Sequence, residues 1–116
     1  MTTGPATEGD ATVDGVGSDA MVDGVDVDRL AAAVEDCPAV DALVDGPPDW
    51  AATYLPRRRI TGIRIEGDAV TTQVRLRHGS TVGQLARQVW RAATPLAGPR
   101  RVDIVVADIS DPHTGV

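Results

Sequence analysis

The sequence predicts a small α+β domain, and three features of the 116-residue chain support this fold class. Apolar residues recur at helical spacing in two stretches, residues 27–37 and 82–93. Apolar and polar residues alternate in three stretches of strand length, residues 61–65, 70–76 and 102–106. Glycine and proline residues separate these stretches. The predicted order is α-β-β-β-α-β, a small single-layer sheet with two helices packed on one face.

Charge divides the chain into a tail and a domain. Residues 1–26 contain six acidic residues and no basic residue, whereas residues 27–116 contain 11 arginines and 11 acidic residues. The tail has no aromatic residue, and a stretch of this composition buries too little apolar surface to offset the entropy lost on ordering. We therefore expect a disordered acidic tail over residues 1–26, a folded domain over residues 27–110 and a frayed C-terminus over residues 111–116.

The first helix is predicted to begin after Asp26, whose carboxylate can cap the first turn. Its apolar stripe consists of Val27, Leu30, Ala31, Val34 and Cys37. Pro38 ends this helix because proline cannot continue the hydrogen-bond ladder. A short apolar run over residues 39–44 predicts the first strand. The chain then turns at residues 45–48 and continues as a connector to Pro56.

The next two strands are predicted to form a β-hairpin with its turn at Glu66-Gly67-Asp68. One face of this hairpin is apolar and is formed by Thr61, Ile63, Ile65, Val70, Thr72, Val74 and Leu76. Arg75 and Arg77 alternate with this face, so their side chains must point away from the core. Gly62 lies on the outward face of the first strand, where a glycine permits a bulge or the close approach of another backbone.

Thr81 and Gln84 fit a capping box that opens the second helix. Its buried stripe is predicted to comprise Val82, Leu85, Ala86, Val89 and Ala93, with Trp90 at the margin. Pro95 is predicted to stop this helix, together with Gly98-Pro99. The last strand follows, with Val102, Ile104 and Val106 alternating on one face.

Arginines are the main candidates for a binding surface. Ten arginines and two acidic residues lie between Arg57 and Arg101, so this segment has a local charge of +8. The candidate partner-binding residues are Arg57, Arg58, Arg59, Arg64, Arg75 and Arg77. Solvated surfaces with arginine stems packed over apolar rims are one interpretation. A protein-contact surface is the second, and a nucleic-acid surface that follows phosphates is the third.

The sequence predicts no catalytic, cofactor-binding or metal site. A metal site needs several ligands at coordinated spacing, and the chain offers only His78, His113 and Cys37. Cys37 lies on the apolar stripe of the first helix and is expected to be a small core residue. A single cysteine excludes an internal disulfide and favours a reducing, cytoplasmic location. No apolar run approaches the roughly 20 residues that span a bilayer, so we expect no direct membrane insertion.

One segment carries a family resemblance. Residues 54–65 have the pattern Tyr-Leu-Pro-x-Arg-Arg-Ile-x-Gly-Ile-Arg-Ile, and similar patterning continues through the strands and helix up to residue 109. In this order and spacing the chain resembles the short actinobacterial members of the alkaline shock protein family, the envelope stress response proteins of Gram-positive bacteria. The resemblance covers roughly residues 27–110 and leaves out the acidic tail.

The resemblance implies a non-enzymatic cytoplasmic protein that acts in envelope stress through protein–protein contacts. The expected partners are a membrane-anchored protein that brings the chain close to the membrane, paralogous family members, or a second copy in a homo-oligomer. It implies no catalytic residues and no cofactor. The alternative that the residues leave open is a small RNA- or DNA-binding module that uses the arginine-rich hairpin.

Overall fold

A computed structural model describes residues 20–111 of the chain. Its helices are α1 (Val27–Glu35) and α2 (Val82–Ala97). Its strands are β1 (Met21–Val22), β2 (Val25–Asp26), β3 (Val40–Leu43), β4 (Ala52–Leu55), β5 (Arg58–Thr61), β6 (Ile63–Glu66), β7 (Ala69–Leu76) and β8 (Arg101–Ile109). These elements confirm the predicted α+β class. They also add strands in two places where the sequence predicts none.

Strand β7 is the centre of the main sheet. On one edge it pairs antiparallel with β6 through its first half and with β3 through its second half. On the other edge it pairs with β8, which runs parallel to it and is reached through the crossover helix α2. The hairpin of β6 and β7 is confirmed, and Gly67-Asp68 forms its two-residue turn. Strands β1–β2 and β4–β5 form two separate hairpins.

Both helices cover one face of the main sheet, as predicted. Helix α1 packs over β3, and α2 packs over β7 and β8. The buried cluster between helices and sheet consists mainly of Val27, Leu30, Val34, Val40, Ile63, Val70, Val74, Leu76, Leu85, Val89 and Ala93. A valine, leucine or isoleucine side chain of this cluster contributes about 1.5–3 kcal/mol when it is fully buried, and Ala93 contributes less. This face is therefore held by apolar packing.

Residues 44–51 bury the opposite face of β7. Gln73 is fully buried there, and its Nε2 donates a hydrogen bond to the carbonyl oxygen of Gly46 at 2.7 Å. Its Oε1 accepts a hydrogen bond from the backbone N–H of Ala51 at 3.3 Å. A buried amide needs such partners because an unpaired polar group in the interior is costly. This side chain therefore fixes the path of the segment that crosses it.

Gly62 marks a sharp bend between β5 and β6. Its φ is +80°, and a Cβ atom at this position would lie 2.8 Å from both the Gln73 carbonyl oxygen and the Leu43 Cβ. Its N–H donates to the carbonyl oxygen of Ala51 at 2.9 Å, and its own carbonyl accepts from the Gln73 N–H at 2.8 Å. The close backbone approach predicted for this glycine is confirmed. Thr61, however, belongs to β5 and not to the strand of Ile63.

The helix ends agree with most of the capping predictions. The Asp26 carboxylate accepts from the Arg29 N–H at 3.2 Å, and the Thr81 and Gln84 side chains form the reciprocal capping box at 3.0 and 2.8 Å. The stop at Pro95 was wrong, because α2 continues to Ala97 with this proline inside its last turn. At this position the proline cannot donate to the Arg91 carbonyl oxygen, and the helix ends two residues later.

Val82 is 55% exposed and does not belong to the buried stripe of α2. The prediction placed it there because its position on the helical wheel matches that of Leu85 and Val89. Helical spacing gives the direction of a side chain but not whether the sheet extends far enough to cover it. The first residue of the helix lies beyond this cover.

The ordered part begins before the predicted boundary at residue 26. Residues 21–26 form the β1–β2 hairpin, and Val25 is buried in the core. Asp23 and Gly24 make its turn with φ values of 50° and 84°, the positive pair that a type I′ turn requires. The predicted disorder of residues 1–19 and the predicted fraying of residues 112–116 lie outside the described residues.

The β4–β5 hairpin occupies the stretch that the sequence predicts as a connector. Leu55 pairs with Arg58, so Pro56 and Arg57 form its two-residue turn. Proline favours the first central position of a turn because its φ is already suitable. The Thr53 hydroxyl donates to the carbonyl oxygen of Ile63 at 2.6 Å, and Ile60 packs against the core. The hairpin is thus tied to the body of the domain.

Candidate interaction surfaces

The structure places the six predicted arginines in two different situations. The side chains of Arg58, Arg59, Arg64, Arg75 and Arg77 contact acidic or carbonyl groups of the domain itself. Within residues 20–111, no ion pair or side-chain hydrogen bond involves Arg57. The six residues therefore do not form one uniform basic patch. Five of them hold segments of the domain together through ion pairs and hydrogen bonds.

Arg58 ties the β4–β5 hairpin to helix α1. Its two terminal nitrogens donate to the two carboxylate oxygens of Asp28, each at 2.7 Å. This two-point contact fixes the orientation of both groups better than a single contact does. The hydrogen bond from Arg58 holds the pKa of Asp28 below its usual value, although partial burial opposes this. Both side chains remain partly exposed, so water screens the pair.

Arg59 and Arg64 fix the segment that follows β3. Arg59 Nη2 lies 2.9 Å from the Asp45 carboxylate, which also accepts from the Thr61 hydroxyl at 3.4 Å. Arg64 Nη2 lies 2.8 Å from the Asp49 carboxylate, an ion pair rather than an aligned hydrogen bond, and its Nη1 donates to the Asp49 carbonyl oxygen at 3.1 Å. These contacts hold the two ends of residues 45–49.

Arg75 and Arg77 point away from the helix-covered core, as predicted. Arg75 lies on the opposite face of β7, where it contacts Asp41 at 3.2 Å and Asp108 at 3.7 Å. It thereby links β3, β7 and the end of β8. Arg77 donates to the carbonyl oxygens of Pro38 and Val40 at 2.8 and 3.2 Å. Its role is to close the turn between α1 and β3.

The aromatic residues were not identified from the sequence as candidate binding residues. Trp50, Tyr54 and Trp90 are the three aromatic residues of the chain, and their exposed fractions are 67%, 76% and 54%. Aromatic side chains normally supply much of the buried area of a core. Here the core is built from aliphatic residues, and every aromatic ring lies at the surface. Composition alone gives only their number, whereas their exposure depends on the fold.

Tyr54 and two arginines share one end of the β4–β5 hairpin. Tyr54 lies directly opposite Arg59 in the strand pair, so their side chains share a face. Arg57 lies at the turn, and the Arg59 side chain is 52% exposed despite its contact with Asp45. We call Tyr54, Arg57 and Arg59 the hairpin surface. It combines the two residue types that protein interfaces favour most.

The described residues also bear on metal binding, thiol reactivity and membrane crossing. Residues 20–111 contain no cluster of histidine, cysteine and acidic residues that could hold a metal ion. Burial raises the pKa of the Cys37 thiol, and the neighbouring Asp36 raises it further, so a reactive thiolate is disfavoured. Across the same residues, no helix combines the length and apolar character needed to cross a membrane.

Comparison with known proteins gives no match to the chain. No protein-family model matches it, and no curated protein or solved structure shows significant similarity to it. The function of the chain therefore has to be argued from its own residues and geometry.

Proposed function

We propose that this chain is a non-enzymatic protein-binding module of the bacterial envelope stress response, which docks to a membrane-anchored protein or self-associates. The observation that carries the binding role is the exposure of all three aromatic side chains, Trp50, Tyr54 and Trp90. Tyrosine, tryptophan and arginine dominate the binding energy of protein interfaces. The stress-response role rests on the resemblance of residues 54–65 to the alkaline shock protein family.

The hairpin surface is the docking site that we assign to a protein partner. Arg58 holds the hairpin to Asp28 on α1, and Arg59 holds it to Asp45. Such attachments limit the motion of Tyr54 and Arg57 in the free protein. A partner then loses less entropy on binding than it would with a mobile loop.

Charge favours a protein partner over a nucleic acid. Phosphate binding relies on cations that release counterions from the polymer. Arg58, Arg64 and Arg75 already contact carboxylates of the same chain at 2.7–3.2 Å. These carboxylates would repel a phosphate backbone that approached the same surface. These three arginines therefore offer little positive charge that is free to bind phosphate.

Two single substitutions on the hairpin surface test the proposal. Tyr54→Ser removes the exposed ring, and Arg57→Ser removes a guanidinium that holds no other part of the described chain. Each full-length variant is used to capture proteins from detergent-solubilised actinobacterial membranes, and recovery is measured by quantitative mass spectrometry. We expect recovery of the same membrane protein to fall about 5- to 30-fold, the effect of losing roughly 1–2 kcal/mol at an interface hot spot.

Arg87→Ser is the matched control for this experiment. Arg87 is an exposed arginine on α2, so its loss changes the net charge by the same amount as Arg57→Ser does, without touching the hairpin. The proposal fails if the hairpin variants and this control capture the membrane protein equally well. Binding of a labelled oligonucleotide at low salt that disappears in Arg57→Ser would instead identify a nucleic-acid surface.

A further inference from the structure

Strand β8 leaves one side of the main sheet open. It pairs with β7 along its length, and no strand among residues 20–111 pairs with its other edge. Its apolar residues Val102, Ile104 and Val106 are only half-buried. Proteins usually protect a long apolar edge by shortening it, charging it or bending it with a bulge. Here the only irregularity in the pairing of β7 with β8 comes near the end of β8, after Val106.

The hydrogen bonds to β7 show which backbone groups of β8 face the open edge. The N–H of Arg101 donates to the Asp68 carbonyl oxygen at 2.8 Å, so the backbone of Arg101 faces β7. Along a strand, the N–H and C=O groups of successive residues point to alternate sides. Asp103 and Val105 therefore also face β7. Val102, Ile104 and Val106 direct their N–H and C=O groups outward.

Helix α2 adds an aromatic ring on the same side. Gln88 lies on the α1 side of α2, where its Oε1 accepts from the Ala39 N–H at 2.7 Å. Trp90 follows two residues later and thus points about 200° around the helix, away from α1. Because α1 covers β3 and α2 covers β8, this direction is that of the open edge. Trp90 is 54% exposed there.

We propose that β8 pairs antiparallel with β8 of a second copy of this chain, with Ile104 on the two-fold axis. In this register Ile104 lies opposite Ile104, and Val102 lies opposite Val106 of the other copy. Every outward N–H and C=O of these residues then finds a partner. The side chains on the helix-covered face also meet as apolar pairs, since Val102, Ile104 and Val106 share that face with Val70, Thr72 and Val74.

The charged residues of β8 select this register over its neighbours. With Ile104 at the centre, Asp103 lies opposite Val105, and Arg101 lies opposite Ala107 next to the acidic Asp108. Moving the centre to Asp103 places two carboxylates directly across from each other, which is unfavourable. Moving it to Val105 places Val102 opposite Asp108 and carries the pairing into the bulge. A two-fold interface must be complementary to itself. Of these three registers, only the one centred on Ile104 avoids facing carboxylates and also keeps the pairing out of the bulge.

This inference concerns self-association, one branch of the proposed function, but it uses a different element from the hairpin surface. Docking of a membrane protein on Tyr54 and Arg57 does not require β8. Pairing through β8 does not require the hairpin. Loss of either contact can therefore be measured while the other is intact.

Opposite charge changes at Val105 test the pairing and its register. In the proposed dimer, Val105→Asp places a second carboxylate across from Asp103 of the other copy, whereas Val105→Lys places a cation there. Sedimentation velocity of the full-length chain over a concentration series gives the dimer dissociation constant. We expect Val105→Asp to weaken the dimer and Val105→Lys to strengthen it, each about 2- to 30-fold, because each cross-strand pair occurs twice.

The double variant Asp103→Lys/Val105→Asp restores an opposite-charge pair and should recover dimerisation relative to Val105→Asp. Ala32→Asp and Ala32→Lys on the exposed side of α1 are charge-matched controls and should leave the dissociation constant unchanged. Circular dichroism confirms that each variant is folded. A wild-type chain that stays monomeric at all concentrations overturns the proposal. Equal weakening by both Val105 substitutions overturns the register.

Discussion

The two faces of β7 are buried by different physical means. Toward the helices, Val70, Val74 and Leu76 pack against aliphatic side chains of α1 and α2. On the other face, Gln73 is buried by hydrogen bonds to Gly46 and Ala51, and Arg75 is held by carboxylates. Apolar packing is non-directional and tolerates small shifts, whereas hydrogen bonds require particular partners at particular distances.

This difference indicates how each face should respond to substitution. The helix-covered face should lose stability in proportion to the apolar volume removed. The opposite face should lose its local structure when a single donor or acceptor is left without a partner. The following predictions test this contrast.

The largest effect is expected at Gly62, where residues 45–51 and β7 meet. Gly62→Ala would place a Cβ atom 2.8 Å from the Gln73 carbonyl oxygen and force a positive φ on a non-glycine residue. The combined strain and overpacking should lower the free energy of unfolding by about 2–6 kcal/mol. Urea denaturation followed by circular dichroism measures this loss.

Gly67 provides a matched control for the close approach at Gly62. It also has a positive φ, of +58°, but an added Cβ atom there would meet no other atom within 4 Å. Gly67→Ala should therefore cost only the backbone strain, about 1–3 kcal/mol. If both substitutions have the same effect, contact with Gln73 and Leu43 is not what requires glycine at position 62.

A pair of substitutions compares the two faces directly. Leu85→Ala leaves a cavity under α2 and should cost about 2–5 kcal/mol of global stability. Gln73→Leu replaces the amide by an apolar side chain of similar volume. It leaves the Ala51 N–H without its partner and removes one of the two donors to the Gly46 carbonyl oxygen, which keeps its hydrogen bond from the Trp50 N–H, so we expect a cost of about 1–3 kcal/mol. Both values come from urea denaturation.

Hydrogen exchange separates the two mechanisms. Gln73→Leu should speed exchange mainly in residues 44–51, because that segment loses its attachment to the sheet. Leu85→Ala should instead raise exchange across the core through global unfolding. The contrast between the faces fails if Gln73→Leu leaves the exchange of residues 44–51 unchanged.

The smallest effect is expected for the Asp28–Arg58 pair, which lies outside both faces. The hydrogen bond from Arg58 lowers the pKa of Asp28, so the folded state binds this proton less readily than the unfolded chain does. The stabilisation is therefore present above the ordinary carboxyl pKa of about 3.9 and is lost as the pH falls through the lowered value. For a partly exposed pair we expect about 0.5–1 kcal/mol.

Asp28→Asn isolates this contribution. Wild type should be more stable than the variant at pH 7, and the difference should vanish at low pH, where Asp28 is protonated. High salt should also reduce the difference. A stability difference that is the same at pH 7 and pH 2.5 would mean that the charge of Asp28 does not attach the hairpin.

The helix-covered face could be predicted because its pattern is local. Apolar and polar residues alternate along β7, with Val70, Thr72, Val74 and Leu76 on one face. The Thr81–Gln84 capping box, which spans four residues, marks the start of α2. The opposite face could not be predicted in this way. The partners of Gln73 lie 22 to 27 residues away, in a segment whose local sequence indicates only turns.

The candidate interaction surfaces were predictable only in part. The sequence identified the arginines of residues 57–59 as unusual, and Arg57 remains uncommitted among the described residues. It did not identify the acidic partners, because Asp28 lies 30 residues from Arg58. The sequence also did not indicate whether the aromatic side chains would be buried or exposed. Tyr54 is exposed because it lies on the outer face of the β4–β5 hairpin, whereas Trp50 precedes this hairpin and is exposed in the connection that follows β3.

By itself, the sequence determined the α+β class, both helix starts and the β6–β7 hairpin. Each of these follows from residues within a few positions of one another, where backbone sterics and side-chain alternation act directly. The tertiary structure decided which arginines hold the chain together, which aromatic rings face solvent and which edge of the sheet stays open. These properties depend on contacts between segments distant in sequence, which local patterns do not specify.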